Sequence, residues 1–226
     1  MIGRDVSFKE RRENIREPYP LYVQFDLETI KSYFDEDINS IESMFDLEID
    51  ETKKQFIYQS QIVLLSSAFD FYLHNITKYG VNRIHDRIWK MTKKYENQTI
   101  SFKLLEEILN NDIEDDWFYA YISDYYEKVT MMSYESLKDQ MNLIGIPHQK
   151  VADLAFYQKG DTLSTKVKLK NKIDTLFQKR NIIAHQTVRS HRDASKEKFD
   201  EKEVKEMIDD IKKIVDAIHQ LVTEKS

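Results

Sequence analysis

Residues 61–76 read "QIVLLSSAFDFYLHNI", and together with Tyr58 they settle the fold class. Tyr58, Ile62, Leu65, Phe69, Tyr72 and Ile76 step by four and three, the spacing that gathers side chains on one face of an α-helix. The helix is expected to run on past Gly80 to Lys93. Ser66, Asp70 and His74 recur every four residues and form one polar line beside the apolar face.

Working outward, the pattern stays helical. A helix is expected from about 26 to 45, and the middle of the chain, from about 100 to 158, reads as several shorter helices. Pro147 suits the first turn of one of them, because its missing amide hydrogen has no partner there in any helix. The stretch "KGDTLSTKVKLKNKIDTLFQKRNIIAH" offers Asp161 as an N-cap and predicts a helix from about 161 to 184, with Val167, Ile173, Phe177, Arg180 and Ala184 along its apolar side. Residues 186–199 carry no apolar period and are expected to be a polar loop. A closing helix from about 200 to 224 is clearest of all: Asp200 followed by Glu203 resembles a capping box, and Val204, Met207, Ile208, Ile211, Ile214, Val215, Ile218 and Val222 form its stripe.

The composition agrees. The 226 residues include 4 Gly and 3 Pro, too few for a fold of many tight turns, and no strand-like alternation is present. The expected fold class is therefore all-α, a bundle of long antiparallel helices with additional short ones and no significant β-sheet. Residues 1–20, closed by "EPYP", read as a charged arm, and 21–226 as a single domain. The absence of cysteine excludes disulfides, thiolate zinc sites and cysteine nucleophiles. The first residues lack a signal peptide's apolar core and no run of apolar residues is long enough to span a bilayer, so a cytoplasmic protein without membrane attachment is expected.

Net charge is −6, but its distribution matters more. Asp26 to Glu51 holds ten acidic residues and one basic, whereas Lys150 to Arg192 holds ten basic and three acidic. The basic block contains "KRNIIAHQ", residues 179–186. A histidine exchanges a proton near neutral pH, and an arginine clamps a phosphate without losing its charge. That pair suits phosphodiester cleavage in RNA, where the neighbouring 2′-hydroxyl is the nucleophile and no metal is required. On a helix Asn181 and His185 share a face, whereas Arg180 and His185 are rotated about 140° apart. They converge only if the helix ends near the motif or a second chain supplies one of them.

"RNIIAH" resembles the R-x4-6-H signature of the HEPN superfamily of helical ribonucleases, and the layout of 160–222 resembles its RiboL-PSP and MAE_28990-like branches: a basic helix with the motif, a polar loop, a closing amphipathic helix. The resemblance implies a HEPN-like helical bundle that dimerises into a composite active site. It also implies a metal-independent endoribonuclease that leaves a 2′,3′-cyclic phosphate and serves as a toxin or antiphage-defence effector with a possible antitoxin or defence-system partner protein. By position, Arg180 would bind the phosphate, His185 would act as general acid or base, and Asn181 would orient them. In the resembling family an acidic residue often occupies the helix of residues 61–76, and Asp70 is the matching position. Gln186 stands where many relatives have Gly.

Lys179, Arg189, His191 and Arg192 are candidate contacts for RNA phosphates, and neither cofactor nor metal is expected, since the remaining histidines lack ligand spacing. Other readings stay open. Arg180 is equally at home paired with a carboxylate at a helix end, Asp70 in a satisfied polar seam, and the tyrosine-rich "WFYAYISDYY" in the core. The whole domain also fits a catalytically inactive HEPN-like module that binds RNA, a nucleotide or a partner protein.

Overall fold

The structure is a computed structural model that describes residues 24–110, 117–127, 129–186 and 198–226. The charged arm and the segment 187–197, which holds most of the expected polar loop, lie outside the described residues. The described residues form helices α1 (Leu27–Ser43), α2 (Glu51–His85), α3 (Lys93–Glu96), α4 (Phe102–Leu109), α5 (Trp117–Glu127), α6 (Tyr134–Ile144), α7 (His148–Phe156), α8 (Thr165–Gln186) and α9 (Glu201–Thr223), with a short 3-10 turn at Met44–Asp46 and no strand among them. None of these helices is long and apolar enough to cross a membrane.

Polar side chains at the helix starts satisfy amides that have no partner within the helix. Asp26 accepts from the Thr29 amide at 2.7 Å, Asp50 from Lys53 at 3.0 Å, Ser133 from Ser136 at 3.1 Å and Asp200 from Glu203 at 2.7 Å. Two expected starts differ. The motif helix begins at Thr165, not 161, because the Ser164 hydroxyl caps it by accepting from Val167 at 3.4 Å, while Asp161 pairs with Lys168. Pro147 occupies the capping position of α7, one residue before the helix proper.

Helix α2 is the axis of the bundle. Ile62, Leu65, Phe69, Tyr72 and Ile76 are all fully buried, and Tyr58 nearly so. Helix α1 packs against it in antiparallel fashion: Phe34 meets Tyr72 at 5.7 Å between ring centroids, and Phe45, just beyond α1, meets Tyr58 at 6.3 Å. Helix α9 runs parallel to α2, since Gln55 bonds both backbone groups of Phe199 and the Tyr79 hydroxyl lies 3.3 Å from that of Ser226. Helix α8 runs antiparallel to α9, tied to it by Lys172–Asp210 at 2.8 Å and Lys179–Glu203 at 2.7 Å. Part of the acidic 26–51 block faces α9: Glu42 pairs with Lys212 at 2.9 Å, and Lys31 bridges to Asp216 at 3.1 Å.

Helix α2 stops at His85 instead of running on to Lys93. Arg87 takes a left-handed φ of 61°, and the amides of Ile88 and Trp89 turn back onto the Arg83 carbonyl at 3.0 and 2.9 Å. The chain is thereby reversed so that Trp89 packs on Tyr79 and over Gly80. A Cβ at Gly80 would stand 2.6 Å from Ile144 Cγ2 and 2.9 Å from the Trp89 ring, so this helix-interior glycine is required by close packing. Gly145, at φ 72°, closes α6 in the left-handed conformation that favours glycine.

Candidate functional site

Helix α8 carries the motif, and its inward stripe is narrower than the spacing of the apolar residues suggests. Leu169, Ile173 and Leu176 are buried, whereas Val167 is 40% exposed and Ala184 also faces outward. These three positions follow the i, i+4, i+7 progression of a helix face, and the next member of the series is Arg180. The arginine thus stands in register with the core, at the end of the buried stripe where an apolar residue would be expected. It is partly buried, and its guanidinium donates to the Asn181 side-chain oxygen at 3.1 Å. Among the described residues it forms no ion pair with a carboxylate, so the alternative of a helix-end arginine held by an acidic neighbour has no support there.

Its neighbour Lys179 is held differently. Its ammonium pairs with Glu203 at 2.7 Å and lies 5.0 Å from the centroid of the Phe199 ring. These contacts clamp the motif-bearing end of α8 to the start of α9. The sequence did not single out Glu203 or Phe199 for this; the signal was a basic residue facing an acidic one across an antiparallel pair, visible only once the pairing register is known.

His185 lies within α8, which remains helical through Gln186. At 100° per residue, the five steps from Arg180 place its backbone position about 140° around the axis from the arginine, while Asn181 and His185 share a face. The helix therefore continues past His185, and the backbone positions of Arg180 and His185 lie on different faces of it. Arg189, His191 and Arg192 lie outside the described residues.

Asp70 sits elsewhere. One of its oxygens accepts from the Met131 amide at 2.9 Å and the other lies 3.5 Å from Nε2 of His74. It anchors the segment entering α6, beside a cleft of about 440 Å3 that Lys78 and Ser123 also line. Tyr72, two residues on, meets α9 at Val215 through a 3.5 Å hydrogen bond, whereas Lys179 meets α9 at Glu203. With a rise of 1.5 Å per residue, these levels put Asp70 about 15 Å along the bundle axis from the motif. Ser66, the third member of the polar line, is buried and donates to the Ile62 carbonyl at 2.9 Å.

The arrangement therefore holds, in one chain, a partly buried arginine at the end of an apolar stripe, an amide oxygen that accepts from it, and a histidine position on a different face of the same helix. No curated protein and no solved structure matches the chain. The family model RiboL-PSP-HEPN matches residues 25–224, nearly its full length, and the family supports a role connected with RNA or nuclease chemistry. The chain belongs to the RiboL-PSP-HEPN family.

Proposed function

We propose that this protein is a metal-independent endoribonuclease acting as a dimer, with each composite site built from Arg180 of one protomer and His185 of its partner. The observation that carries the reading is the register of Arg180: a partly buried cation at the end of an apolar stripe, satisfied by an amide and by no described carboxylate. A guanidinium in that setting is poised for an anion of planar oxygens, and a phosphodiester supplies one. The 140° rotation between Arg180 and His185 supports the dimer, since a second copy is the simplest source of the missing partner.

In the reaction, the histidine removes the proton of the substrate 2′-hydroxyl, whose oxygen attacks the adjacent phosphorus. The bond to the 5′-oxygen breaks and that oxygen takes up a proton, leaving a 2′,3′-cyclic phosphate and a free 5′-hydroxyl. Arg180 stabilises the charge gathering on the non-bridging oxygens, and Asn181 fixes the arginine through the 3.1 Å contact. Asp70 takes no part in these steps; it holds the entry to α6. A cell harbouring such an enzyme needs it restrained, which fits a toxin or defence effector controlled by a partner protein.

The test is incubation of purified protein with RNA in excess EDTA and mapping of the product ends. Cleavage leaving cyclic phosphates, and lost in Arg180→Ala and His185→Ala, is the expected result. Cleavage that survives both substitutions contradicts the site, and tight RNA binding without any product identifies a non-catalytic module instead.

A further inference from the structure

The tyrosine-rich stretch at 117–126 reads as core packing in the sequence, and part of it is: Ile122 and Tyr126 are buried. Tyr125, however, is 45% exposed, and Tyr121, Tyr125 and Tyr126 together line a cavity of about 440 Å3 whose other walls include Tyr95, Ile100 and Phe118. That volume lies in the range of small-ligand sites, which are apolar with a few converging polar groups. The aromatic wall is fixed. Phe118 stacks on His85 at 3.7 Å and 6°, and Tyr125 meets Tyr126 edge-on at 5.1 Å.

Tyr126 supplies the polar group. Only 3% of the residue is exposed, and it lines the cavity. A phenol hydroxyl on the wall of an otherwise apolar cavity is the kind of group that orients a ligand there. Burial, followed by the neighbouring Tyr125 and Tyr121, pushes the Tyr126 phenol far above its usual range, so it remains a donor at any physiological pH. Glu96 is the one charged residue lining the cavity among those described, and no lysine or arginine does so, which disfavours a phosphate there.

We propose that this cavity receives a neutral, planar heteroaromatic ring of nucleobase size, stacked on the aromatic wall and accepting a hydrogen bond from the Tyr126 hydroxyl. Two sources offer that chemistry: a base of single-stranded RNA and a free nucleoside. The cavity is separate from the motif. Val81 lines it, whereas the motif end of α8 lies at the level of Gln55, 26 residues and roughly 40 Å away along α2.

The test is calorimetric titration of the full chain with adenosine, guanosine, cytidine and uridine, and with 2′-O-methyl hexanucleotides, which have no free 2′-hydroxyl to attack. At least one probe is expected to bind. Tyr126→Phe, which keeps the ring, should weaken it about three- to tenfold by loss of one hydrogen bond. Tyr125→Ala should weaken it about tenfold by loss of a stacking face. His185→Ala should leave it unchanged, so the result is read whether or not the chain cuts RNA. A hexanucleotide bound much more tightly than its nucleoside identifies RNA as the source; equal affinities identify the nucleoside. No binding at millimolar concentration, or binding that both tyrosine variants retain in full, overturns the proposal.

Discussion

Helices α8 and α9 lie antiparallel, joined by the Lys172–Asp210 and Lys179–Glu203 ion pairs, yet their inward faces end differently. Helix α9 buries ten residues from Val204 to Val222, in an unbroken stripe. Helix α8 buries Leu169, Ile173 and Leu176 and then presents Arg180 at the next position of the series. The first pattern is packing from end to end. The second departs from packing at one place, and that departure is where chemistry is expected, because a cation in register with a core costs stability unless an anion meets it.

The largest effect that tests this contrast is on rate. Arg180→Leu completes the apolar stripe of α8, and RNA cleavage should fall by about 10²- to 10³-fold, the scale of losing one charge-stabilising donor. Thermal stability should hold or rise. A parallel loss of folding would show that the arginine is structural. Next comes Ile214→Ala in α9, a fully buried position, which should lower the unfolding free energy by about 2–5 kcal/mol in urea titrations. If it costs no more than a surface substitution, α9 is not the packing element described.

Smaller effects sharpen the edges of the comparison. Asp200→Ala removes the cap of α9 and should cost about 1 kcal/mol, seen as a lower thermal midpoint. Lys179→Ala breaks a partly exposed ion pair with Glu203 and should cost under about 1 kcal/mol, while loosening the motif end of α8 enough to reduce cleavage. Smallest is a pH effect on α9. Burial first, and then nearby Lys31, against Glu28, Asp35 and Asp216, hold His219 below its usual value. The unfolded chain therefore takes up the proton first, so the contribution of neutral His219 is complete above the ordinary histidine range and is lost as pH falls through it. The drop in urea midpoint between pH 7.5 and 5.5 should be smaller in His219→Gln than in the parent.

The sequence made α9 legible to within a residue at each end, since Asp200 caps it and all eight stripe residues named from the pattern are buried. The central helix was equally plain from Tyr58 to Ile76, but its end was not. Nothing in the local pattern at 80–93 reveals that Trp89 folds back onto Gly80; that depends on Ile144, far away in the chain. The start of α8 is ambiguous in the sequence because Asp161 and Ser164 are both good caps, and Lys168 decides between them by claiming the aspartate. At the site, the motif and its rotation problem could be read from spacing alone. The place of Arg180 on the apolar side could be read too, but not which apolar residues are buried beside it, because only packing separates the exposed Val167 and Ala184 from Leu169 and Leu176. Asp70 shows the same limit: helix spacing aligns it with Ser66 and His74, while its distance from the motif follows from how α8 and α9 are paired against α2.

The central claim is that Arg180 and His185 act from different copies of the chain. The direct measurement is RNA cleavage by a mixture of Arg180→Ala and His185→Ala proteins, co-refolded so that mixed dimers form. Each variant alone should be inactive, and the mixture should recover cleavage, because a mixed dimer holds one intact arginine and one intact histidine facing each other. A mixture that dimerises yet stays as inactive as its components would contradict the account.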